Sequence, residues 1–241
     1  MTRTVLVTGS GSGIGQAVAR AFHAGGDTVV IADVDAAAAT TTATELGDRA
    51  LPVAFDVSVE EEWTRVVADV EAQVGSIGVL VNNAGVWDTS TISGGDVERW
   101  RRVMDVNFFG PLLGIRAVVP GMREAGGAIV NVASTAGFRG VRHAQSYSTS
   151  KWAMRGLALN ASLDLAKWHI RVNTVVPGVV RTPLSEAAGF PDRIPTQAVP
   201  EIADPAEIAR TVVFVAAPES RYITGAEYVI DGGSLAGPVT G

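Results

Sequence analysis

The feature that most constrains the fold is a short run at the start of the chain, Thr4–Thr8, that leads directly into a glycine-rich turn. Its apolar residues are consecutive rather than alternating, so both faces of the strand they form must be covered. Strands of this kind are typical of parallel sheets that carry helices on each side. The first ten residues therefore already predict an α/β fold.

Strand candidates alternate with longer helical stretches along the whole chain. This alternation predicts right-handed crossovers and a single Rossmann-type doubly wound parallel sheet of about seven strands, with helices on both faces. Apolar runs locate six of the strands, at Thr4–Thr8, Thr28–Ala32, Ala50–Phe55, Val79–Val81, Ala128–Val132 and Ile170–Val175. The predicted helices are Ile14–Ala24, Ala36–Leu46, Glu60–Val74, Arg99–Arg123 and Ser150–Lys167.

The 241 residues contain no Pro- or Ser-rich linker, which predicts one domain over residues 1–241. Regular periodicity is lost between Val180 and Pro205, where prolines prevent a long helix. In an otherwise regular domain such a segment is typical of a lid or a binding loop. We expect a substrate loop at about residues 183–205, with a passive surface excursion as the alternative.

Composition excludes several function classes. The chain has no cysteine, so disulfides, cysteine nucleophiles and zinc–thiolate sites are ruled out, and three histidines do not favour a metal centre. The formal net charge of −6 and the lack of a basic run argue against a nucleic-acid partner. The first apolar run is too short for a signal peptide or a membrane span, so we expect a cytoplasmic protein without a membrane partner.

The turn after the first strand contains Gly9, Gly13 and Gly15 in the spacing G-x-x-x-G-x-G, rather than the common dinucleotide spacing G-x-G-x-x-G. Both patterns meet the same physical need. A tight turn brings backbone N–H groups and the N-terminus of the next helix against a pyrophosphate. Because a side chain at Gly13 or Gly15 would obstruct that approach, we expect these glycines to contact the cofactor.

Asp33 closes the second strand, where an acid accepts hydrogen bonds from the ribose hydroxyls of an adenosine. A carboxylate there repels a 2′-phosphate, and neither the glycine turn nor the residues just after Asp33 supply an Arg or Lys to bind one. These features predict NAD rather than NADP as the cofactor. The alternative is that Asp33 caps the following helix, although Asp35 is better placed for that role.

Further motifs follow in a fixed order. They are Asn82-Asn-Ala-Gly85, Asn107, Ser134, Tyr147-Ser-Thr-Ser-Lys151 and Pro177-Gly178. Together with the glycine turn, this ordered set resembles the short-chain dehydrogenase/reductase family over essentially the whole chain. The resemblance implies hydride transfer between NAD(H) and a small-molecule secondary alcohol or ketone, and a homotetrameric assembly.

The resemblance also implies a role for each matching position. The catalytic group would consist of Asn107, Ser134, Tyr147 and Lys151. The NAD cofactor would bind to Gly9, Ser12, Gly13, Ile14, Gly15, Asp33, Val34, Asp56, Val57, Asn83, Ala84, Gly85, Tyr147, Lys151, Pro177, Gly178, Val180 and Thr182. No catalytic position is substituted, so the resemblance implies an active enzyme.

The chemistry explains why these residue types occur together. Tyr147 and Lys151 are four residues apart, so on a helix they share a face, and a nearby cation is expected to lower the tyrosine pKa from about 10. Ser134 follows an apolar strand, and at the carboxyl edge of the sheet its hydroxyl can orient the substrate oxygen. Asn107 is a poor helix former inside the predicted long helix, which favours a local deviation there.

Each of these residues also has an ordinary structural interpretation. Tyr147 can be a half-buried aromatic with a satisfied hydroxyl, Lys151 a solvated helix residue, and Ser134 a cap at the end of its strand. Each ordinary interpretation is the stronger one for a residue taken singly. Their joint occurrence with the glycine turn and Asp33 favours the catalytic interpretation.

A mostly apolar substrate cleft is predicted by apolar and aromatic residues around the predicted site, namely Trp87, Phe138, Trp152 and Leu184–Ile194. The alternative for each aromatic residue, and for Trp152 above all, is packing in the core. The resemblance is strongest to bacterial NAD-dependent hydroxysteroid dehydrogenases and carbonyl reductases, which implies a steroid-like substrate or an aryl ketone with bulky apolar substituents. Three alternatives stay open. They are a 3-oxoacyl carrier-protein reductase, a sugar or polyol dehydrogenase, and a non-catalytic NAD-sensing protein on the same fold.

Overall fold

The computed structural model describes residues 2–89 and 91–239, so residues 1, 90, 240 and 241 of the predicted domain lie outside the described part. The strands are β1 (Thr4–Thr8), β2 (Thr28–Asp33), β3 (Ala50–Ala54), β4 (Ile77–Asn82), β5 (Gly127–Val132), β6 (Ile170–Pro177) and β7 (Glu227–Ile230). The helices are α1 (Gly13–Ala24), α2 (Ala36–Leu46), α3 (Glu60–Val74), α4 (Val97–Met104), α5 (Gly110–Met122), α6 (Gln145–Asp164), α7 (Pro183–Ala187) and α8 (Pro205–Ala216).

The seven strands form one sheet in the order β3-β2-β1-β4-β5-β6-β7, and every neighbouring pair is parallel. The chain first builds outward from β1 on one side and then from β4 on the other. The predicted doubly wound Rossmann-type sheet is confirmed. Open sheets of this type bind ligands beyond the carboxyl ends of the strands, at the point where the order reverses, which here lies between β1 and β4.

Helices cover both faces of the sheet. Val5 and Val7 of β1 face a layer formed by α1, α2 and α8, whereas Leu6 between them faces a layer formed by α3, α5 and α6. All three side chains are fully buried. The lack of alternation in the first apolar run is therefore explained by a core on each side of the strand.

One helical run, Val97–Met122, is 26 residues long and contains a window that is long and apolar enough to cross a membrane. Half of its most apolar window is buried inside the protein. Its second part, α5, packs against β4 and α3 and buries Ile115 and Val118 in the core. The run is therefore a core helix of this domain.

Three elements, α7, α8 and β7, have no counterpart among those located from the sequence. Helix α8 begins at a capping box, in which the Asp204 carboxylate accepts a hydrogen bond from the Ala206 amide and the Glu207 carboxylate accepts one from the Asp204 amide. Strand β7 has four residues and pairs with β6 at the edge of the sheet. A run this short does not distinguish a strand from a loop by its pattern.

The segment predicted as a substrate loop is partly regular. Thr182 caps α7, because its hydroxyl accepts a hydrogen bond from the Ser185 amide at 3.2 Å. An isolated bridge joins Val180, which precedes α7, to Ala203, which follows it. These contacts anchor both ends of the segment beside the carboxyl end of β6.

Candidate active site

The glycine turn places the N-terminus of α1 in the wall of a cleft of about 300 Å³, at the point where the strand order reverses. Ser12 is the N-cap residue, with an extended backbone, and its side chain makes no capping hydrogen bond. The first turn of α1 contains no acidic residue either. Helix N-terminal amides without a side-chain partner are groups that bind phosphate, so this wall fits the pyrophosphate of a dinucleotide.

The glycines of the turn are required mainly by the chain itself. A Cβ at Gly15 would lie 2.1 Å from the Gly9 carbonyl oxygen and 2.5 Å from Nδ2 of Asn83. Gly9 has a φ of +63°, and a Cβ there would lie 2.8 Å from the Ala84 Cα. A side chain is thus excluded at Gly15 by the turn itself and not, as was expected, by the cofactor. Gly15 packs beneath the turn and does not line the cleft.

Asp33 ends β2 and lines the cleft. Its carboxylate accepts hydrogen bonds from the Gly11 amide at 2.9 Å and from the Asp35 amide at 3.1 Å. The cap of α2 is Asp35, whose carboxylate accepts from the Ala37 and Ala38 amides. The interpretation of Asp33 as the helix cap is thus wrong, and the glycine turn holds this carboxylate in a fixed position at the cleft.

The far end of the cleft is bounded by Asp56 and Val57. Partial burial alone would raise the pKa of Asp56, but hydrogen bonds from the Ser58 hydroxyl and amide, together with the Arg102 guanidinium, hold it below its usual value. Arg102 donates to Asp56 at 3.1 Å. The one arginine among the described residues that line this cleft is therefore already paired with a carboxylate.

Asn83 joins the glycine turn to the end of β4. Its side chain donates to the Thr8 carbonyl at 2.9 Å and to the Gly9 carbonyl at 3.1 Å, and the Thr8 hydroxyl accepts from the Asn83 and Ala84 amides. Gly85 lies two residues after Asn83, and a Cβ at Gly85 would lie 3.6 Å from Nζ of Lys151. This stretch connects the phosphate-binding end of the cleft to the catalytic group.

Asn107 lies in a π-helical turn, Asp105–Phe109, which interrupts the helical run between α4 and α5. The predicted local deviation is confirmed. The buried Asn107 side chain accepts from the Val86 amide at 2.8 Å and donates to the Val86 carbonyl and to the Ser150 hydroxyl, both at 3.0 Å. Ser150 in turn donates to the Tyr147 carbonyl at 2.7 Å. Asn107 thus holds the loop after β4 against the first turns of α6.

Helix α6 brings Tyr147 and Lys151 to the same face, next to the end of β5. The Tyr147 side chain is 9% exposed, and its hydroxyl shares a hydrogen bond with the Ser134 side chain. Lys151 is 3% exposed and its Nζ donates to the Val132 carbonyl at 3.0 Å. Lys151 is therefore not a solvated helix residue. Ser134 does act as a cap, since its hydroxyl accepts from the Ala136 amide at 3.2 Å, and it contacts Tyr147 as well.

Burial dominates the acid–base properties of this pair. It lowers the pKa of Lys151 to about 8. It raises the pKa of Tyr147 above the ordinary value of 10.0, and the hydrogen bond with Ser134 offsets only part of that effect. The expected net lowering of the tyrosine pKa is not found, because desolvation of the phenolate is the larger effect. The phenol is protonated near neutral pH.

A second cavity, of about 150 Å³, adjoins the cleft. Both spaces are lined by Tyr147 and also by Ile14, Ala133, Thr182 and Leu184. The ring of Trp87 lies 4.7 Å from that of Tyr147 and 5.8 Å from that of Phe190, and all three border the second cavity. Tyr147 thus lies where the cleft at the edge of the sheet meets the second cavity, which is walled by aromatic rings.

The predicted cofactor-binding residues divide between these spaces. Those that line the first cleft are Gly9, Ser12, Gly13, Ile14, Asp33, Val34, Asp56, Val57, Asn83, Ala84, Gly85, Tyr147, Lys151 and Thr182. The end of β6 and the residues just after it, with Pro177, Gly178 and Val180, border the second cavity instead. Lining residues that the sequence analysis does not single out include Phe55, Val106, Val132 and Val141. They are ordinary apolar residues whose place depends on the tertiary fold.

Two aromatic residues predicted near the substrate lie elsewhere. Phe138 packs with Ala133, Met154 and Val176 and does not line either cavity, and Trp152 is half exposed on the outer side of α6. From the predicted segment Leu184–Ile194, the described lining residues are Leu184, Ser185 and Phe190. Only the beginning of the predicted substrate loop therefore reaches the cavity.

A family profile described as Enoyl-(Acyl carrier protein) reductase matches residues 9–234, which include every candidate site residue. The chain belongs to the short-chain dehydrogenase/reductase family. Family membership agrees with the geometry, since the ordered motifs that carry the resemblance converge on the edge of the sheet. The profile's description identifies the family and leaves the substrate open.

Two relatives in the short-chain dehydrogenase/reductase family match nearly the full length. The 3-alpha-(or 20-beta)-hydroxysteroid dehydrogenase of Mycobacterium tuberculosis (strain CDC 1551 / Oshkosh) is 40% identical over 236 residues, covering 98% of this chain and 90% of the relative. The trans-4-hydroxycyclohexanecarboxylate dehydrogenase of Sinomonas cyclohexanicum is 36% identical over 244 residues, covering 98% of this chain and 93% of the relative. Both are named as dehydrogenases.

A solved structure from the same family gives the clearest indication of the cofactor. The 3-ketoacyl-(acyl-carrier-protein) reductase from Brucella melitensis complexed with NADH superposes with a TM-score of 0.91 at 33% identity. The match covers 96% of this chain and 97% of that chain. This short-chain dehydrogenase/reductase is therefore an oxidoreductase that uses a nicotinamide cofactor.

Proposed function

We propose that this chain transfers a hydride between NAD(H) and a secondary alcohol or ketone with apolar substituents. The observation that carries the proposal is the position of Tyr147. Its side chain lines both the cleft that fits a dinucleotide and the cavity walled by aromatic rings, and its hydroxyl contacts Ser134. A proton donor at such a junction can serve a substrate oxygen while the reacting carbon faces the cofactor.

When bound, the nicotinamide supplies the hydride for ketone reduction or accepts it from the alcohol. Tyr147 donates its proton to the substrate oxygen as the ketone becomes an alcohol, and takes a proton from the alcohol in the reverse direction. The Ser134 hydroxyl stabilises negative charge on that oxygen. The Lys151 ammonium stabilises the phenolate left behind, from 5.6 Å below the centre of the ring.

The proposed preference for NAD rests on Asp33. Its carboxylate is held by the Gly11 and Asp35 amides at the cleft wall, so it cannot swing away from a 2′-phosphate. The nearby Arg102 is paired with Asp56. An anion at contact distance from a fixed carboxylate is strongly disfavoured, whereas a 2′-hydroxyl can donate a hydrogen bond to it.

The second cavity supports a ring-bearing apolar substrate. Trp87, Val141, Leu184 and Phe190 form much of its wall, which suits a steroid-like or aryl ketone better than a sugar or polyol. The two relatives named above, which act on a hydroxysteroid and on a hydroxycyclohexanecarboxylate, support the same class. A sugar substrate would need several hydrogen-bonding groups in this wall.

A panel of ketones and alcohols, each followed at the NADH absorbance with NAD(H) and with NADP(H), tests this proposal. It should include cyclohexanone derivatives, aryl ketones, steroids, a 3-oxoacyl thioester and a polyol. We expect turnover of ring ketones with NADH. Turnover of the thioester alone would indicate an acyl carrier-protein reductase, and NADH binding without any turnover would indicate a non-catalytic sensor.

The proposal includes a homotetramer in the cytoplasm. Large apolar side chains are exposed on the outer side of α6, where Leu163 is 81% exposed and Trp152 and Leu159 are half exposed. A second exposed apolar region lies around Tyr222, which is 97% exposed, and Val229 of β7. Two separate apolar faces on one chain suit the two kinds of contact in a tetramer with twofold axes. Sedimentation velocity tests the assembly.

A further inference from the structure

The second cavity contains a charge that the proposed reaction does not use. Among the described residues that line it, Arg139 is the one with a charged side chain. It lies five residues after Ser134, beyond the short turn Thr135–Gly137. Arg139 is exposed to solvent, so its guanidinium lies at the open side of this mostly apolar cavity, where it can meet an anionic group of a substrate.

The Arg139 guanidinium has no carboxylate oxygen within 4.0 Å among residues 2–89 and 91–239, and its Nη2 donates to the Ser234 hydroxyl at 2.9 Å. By contrast, Arg155 on the neighbouring helix is paired with Glu227 through two hydrogen bonds, of 2.6 and 2.9 Å. The charge of Arg139 is therefore not neutralised by a described side chain. The other nitrogens of its fork are geometrically suited to a carboxylate.

The turn that contains Ser234, the hydrogen-bond partner of Arg139, is itself fixed. The Asp231 carboxylate accepts a hydrogen bond from the Gly233 amide at 2.9 Å and another from the Leu235 amide at 2.8 Å. Ser234, between these two residues, is thereby presented to Arg139. Since Asp231 is engaged with the backbone and the guanidinium is positioned by a neutral hydroxyl, the positive charge stays available at the cavity.

We propose that the substrate is a single-ring alcohol or ketone that carries a carboxylate, with the carboxylate bound by Arg139 and the reacting oxygen at Tyr147. The cavity of about 150 Å³ is well below the range of about 300–1,000 Å³ typical of sites for drug-sized ligands, so it narrows the ring-bearing class proposed above from steroid-like compounds to a single ring. This inference rests on the proposed function, because the reaction requires the ketone or alcohol oxygen of the substrate ring to lie at Tyr147.

The first test compares 4-oxocyclohexanecarboxylate with its methyl ester, which has the same ring and no charge. In reduction by NADH, the hydride goes to the ketone carbon and the Tyr147 proton to its oxygen, so both compounds undergo the same step. We expect the wild-type kcat/KM to be about tenfold or more higher for the acid. In Arg139→Gln this acid-to-ester ratio should fall about tenfold, and Arg139→Lys should recover part of it.

Arg142→Gln is the matched control. It removes the same charge three residues away, on a residue that is exposed, as Arg139 is, but does not line the cavity. Its acid-to-ester ratio should stay within about twofold of the wild type. A rise in KM for the acid with salt concentration, absent for the ester, would further support an ionic contact.

The second test separates binding from chemistry. Cyclohexanecarboxylate has no ketone or hydroxyl and cannot react, so calorimetry of its binding to the protein with NAD reports on the cavity alone. We expect binding that weakens about tenfold in Arg139→Gln but not in Arg142→Gln. Equal use of acid and ester by the wild type, or equal loss of both in Arg139→Gln, would overturn the inference.

These measurements distinguish the two proposals. Turnover of neutral ring ketones without a preference for the acid would refute the role of Arg139 and leave the proposed reaction standing. Absence of turnover for every ketone and alcohol would refute the proposed reaction, and the substrate assignment would fall with it. Carboxylate binding that depends on Arg139 would then still identify an anion site in this cavity.

Discussion

The Lys151 ammonium lies 5.6 Å from the centre of the Tyr147 ring and donates its hydrogen bond to the Val132 carbonyl. The cation therefore lies over the phenol ring, and this hydrogen bond directs it to the backbone. At this distance in a buried site it stabilises a phenolate once one has formed, while burial keeps the resting phenol protonated. The arrangement favours proton donation to a ketone at neutral pH.

Lys151 should make stability depend on pH in a definite direction. Burial lowers its pKa to about 8 from an ordinary value of 10.5, so between these values the unfolded chain binds more protons than the folded one. The cost of burying the charge is fully present below about pH 8 and is relieved as the pH rises. The free energy of unfolding of wild type should therefore rise with pH relative to that of Lys151→Met. The difference between the two should change by about 2 kcal/mol between about pH 7 and about pH 9.5.

Urea denaturation at both pH values measures this difference. Lys167→Met is the matched control, because Lys167 is mostly exposed, and the stability of this variant relative to wild type should not change with pH. A difference between Lys151→Met and wild type that is constant with pH would show that the ammonium is not buried as described.

Asp33→Asn should relax the discrimination against NADP. The substitution removes the charge but keeps one oxygen to accept the Gly11 amide, so the turn should survive. We expect the ratio of kcat/KM for NADP to that for NAD to rise about tenfold or more. Asp35→Asn makes the same charge change at the cap of α2 and should leave the ratio unchanged. A wild-type enzyme that already prefers NADP would contradict the role assigned to Asp33.

Arg155 should be a positioning residue for Ser134. It pairs with Glu227 of β7, donates to the Gly137 carbonyl at 2.5 Å and stacks on Phe138, so it holds the turn after Ser134 against α6. Arg155→Ala should destabilise the protein by about 2 kcal/mol, or about 4–8 °C in Tm, and lower kcat more than it raises KM.

Arg155→Lys keeps the charge without the forked geometry and should recover only part of both losses. The control is Arg210→Ala, since Arg210 makes an exposed ion pair with Glu207 at 3.9 Å and should change Tm by little. An Arg155→Ala variant with reduced stability but wild-type kcat would limit Arg155 to a structural role.

The sequence predicts the sheet well because the relevant forces are local. Consecutive apolar residues in β1 indicate burial on both faces, and the position of Asn107 in a long apolar helix indicates the π-helical turn that the structure contains. Strand β7 has too few residues to show a pattern. Helix α8 carries a capping-box signal, Asp204 with Glu207, that could have located it.

The site is less predictable where it depends on packing between distant segments. The collision that excludes a side chain at Gly15 involves Asn83 and Gly9, and only the folded turn reveals it. Phe138 does not line either cavity, and Arg155, which pairs with Glu227 far along the chain, stacks on its ring. The pKa of Tyr147 likewise follows from the degree of burial, which residue spacing does not report.

The most direct test of the account is Tyr147→Phe, which removes one oxygen and keeps the ring that packs against Trp87. We expect kcat for ring-ketone reduction to fall about a thousandfold, while the Kd for NADH stays within about threefold of wild type, because the phenol donates the proton and contributes little to cofactor binding. Tyr222→Phe makes the same change on a side chain that lines neither cavity, so it serves as the control and should retain wild-type kcat. A Tyr147→Phe variant that reduces the ketone at the wild-type rate would contradict the assignment of Tyr147 as the proton donor.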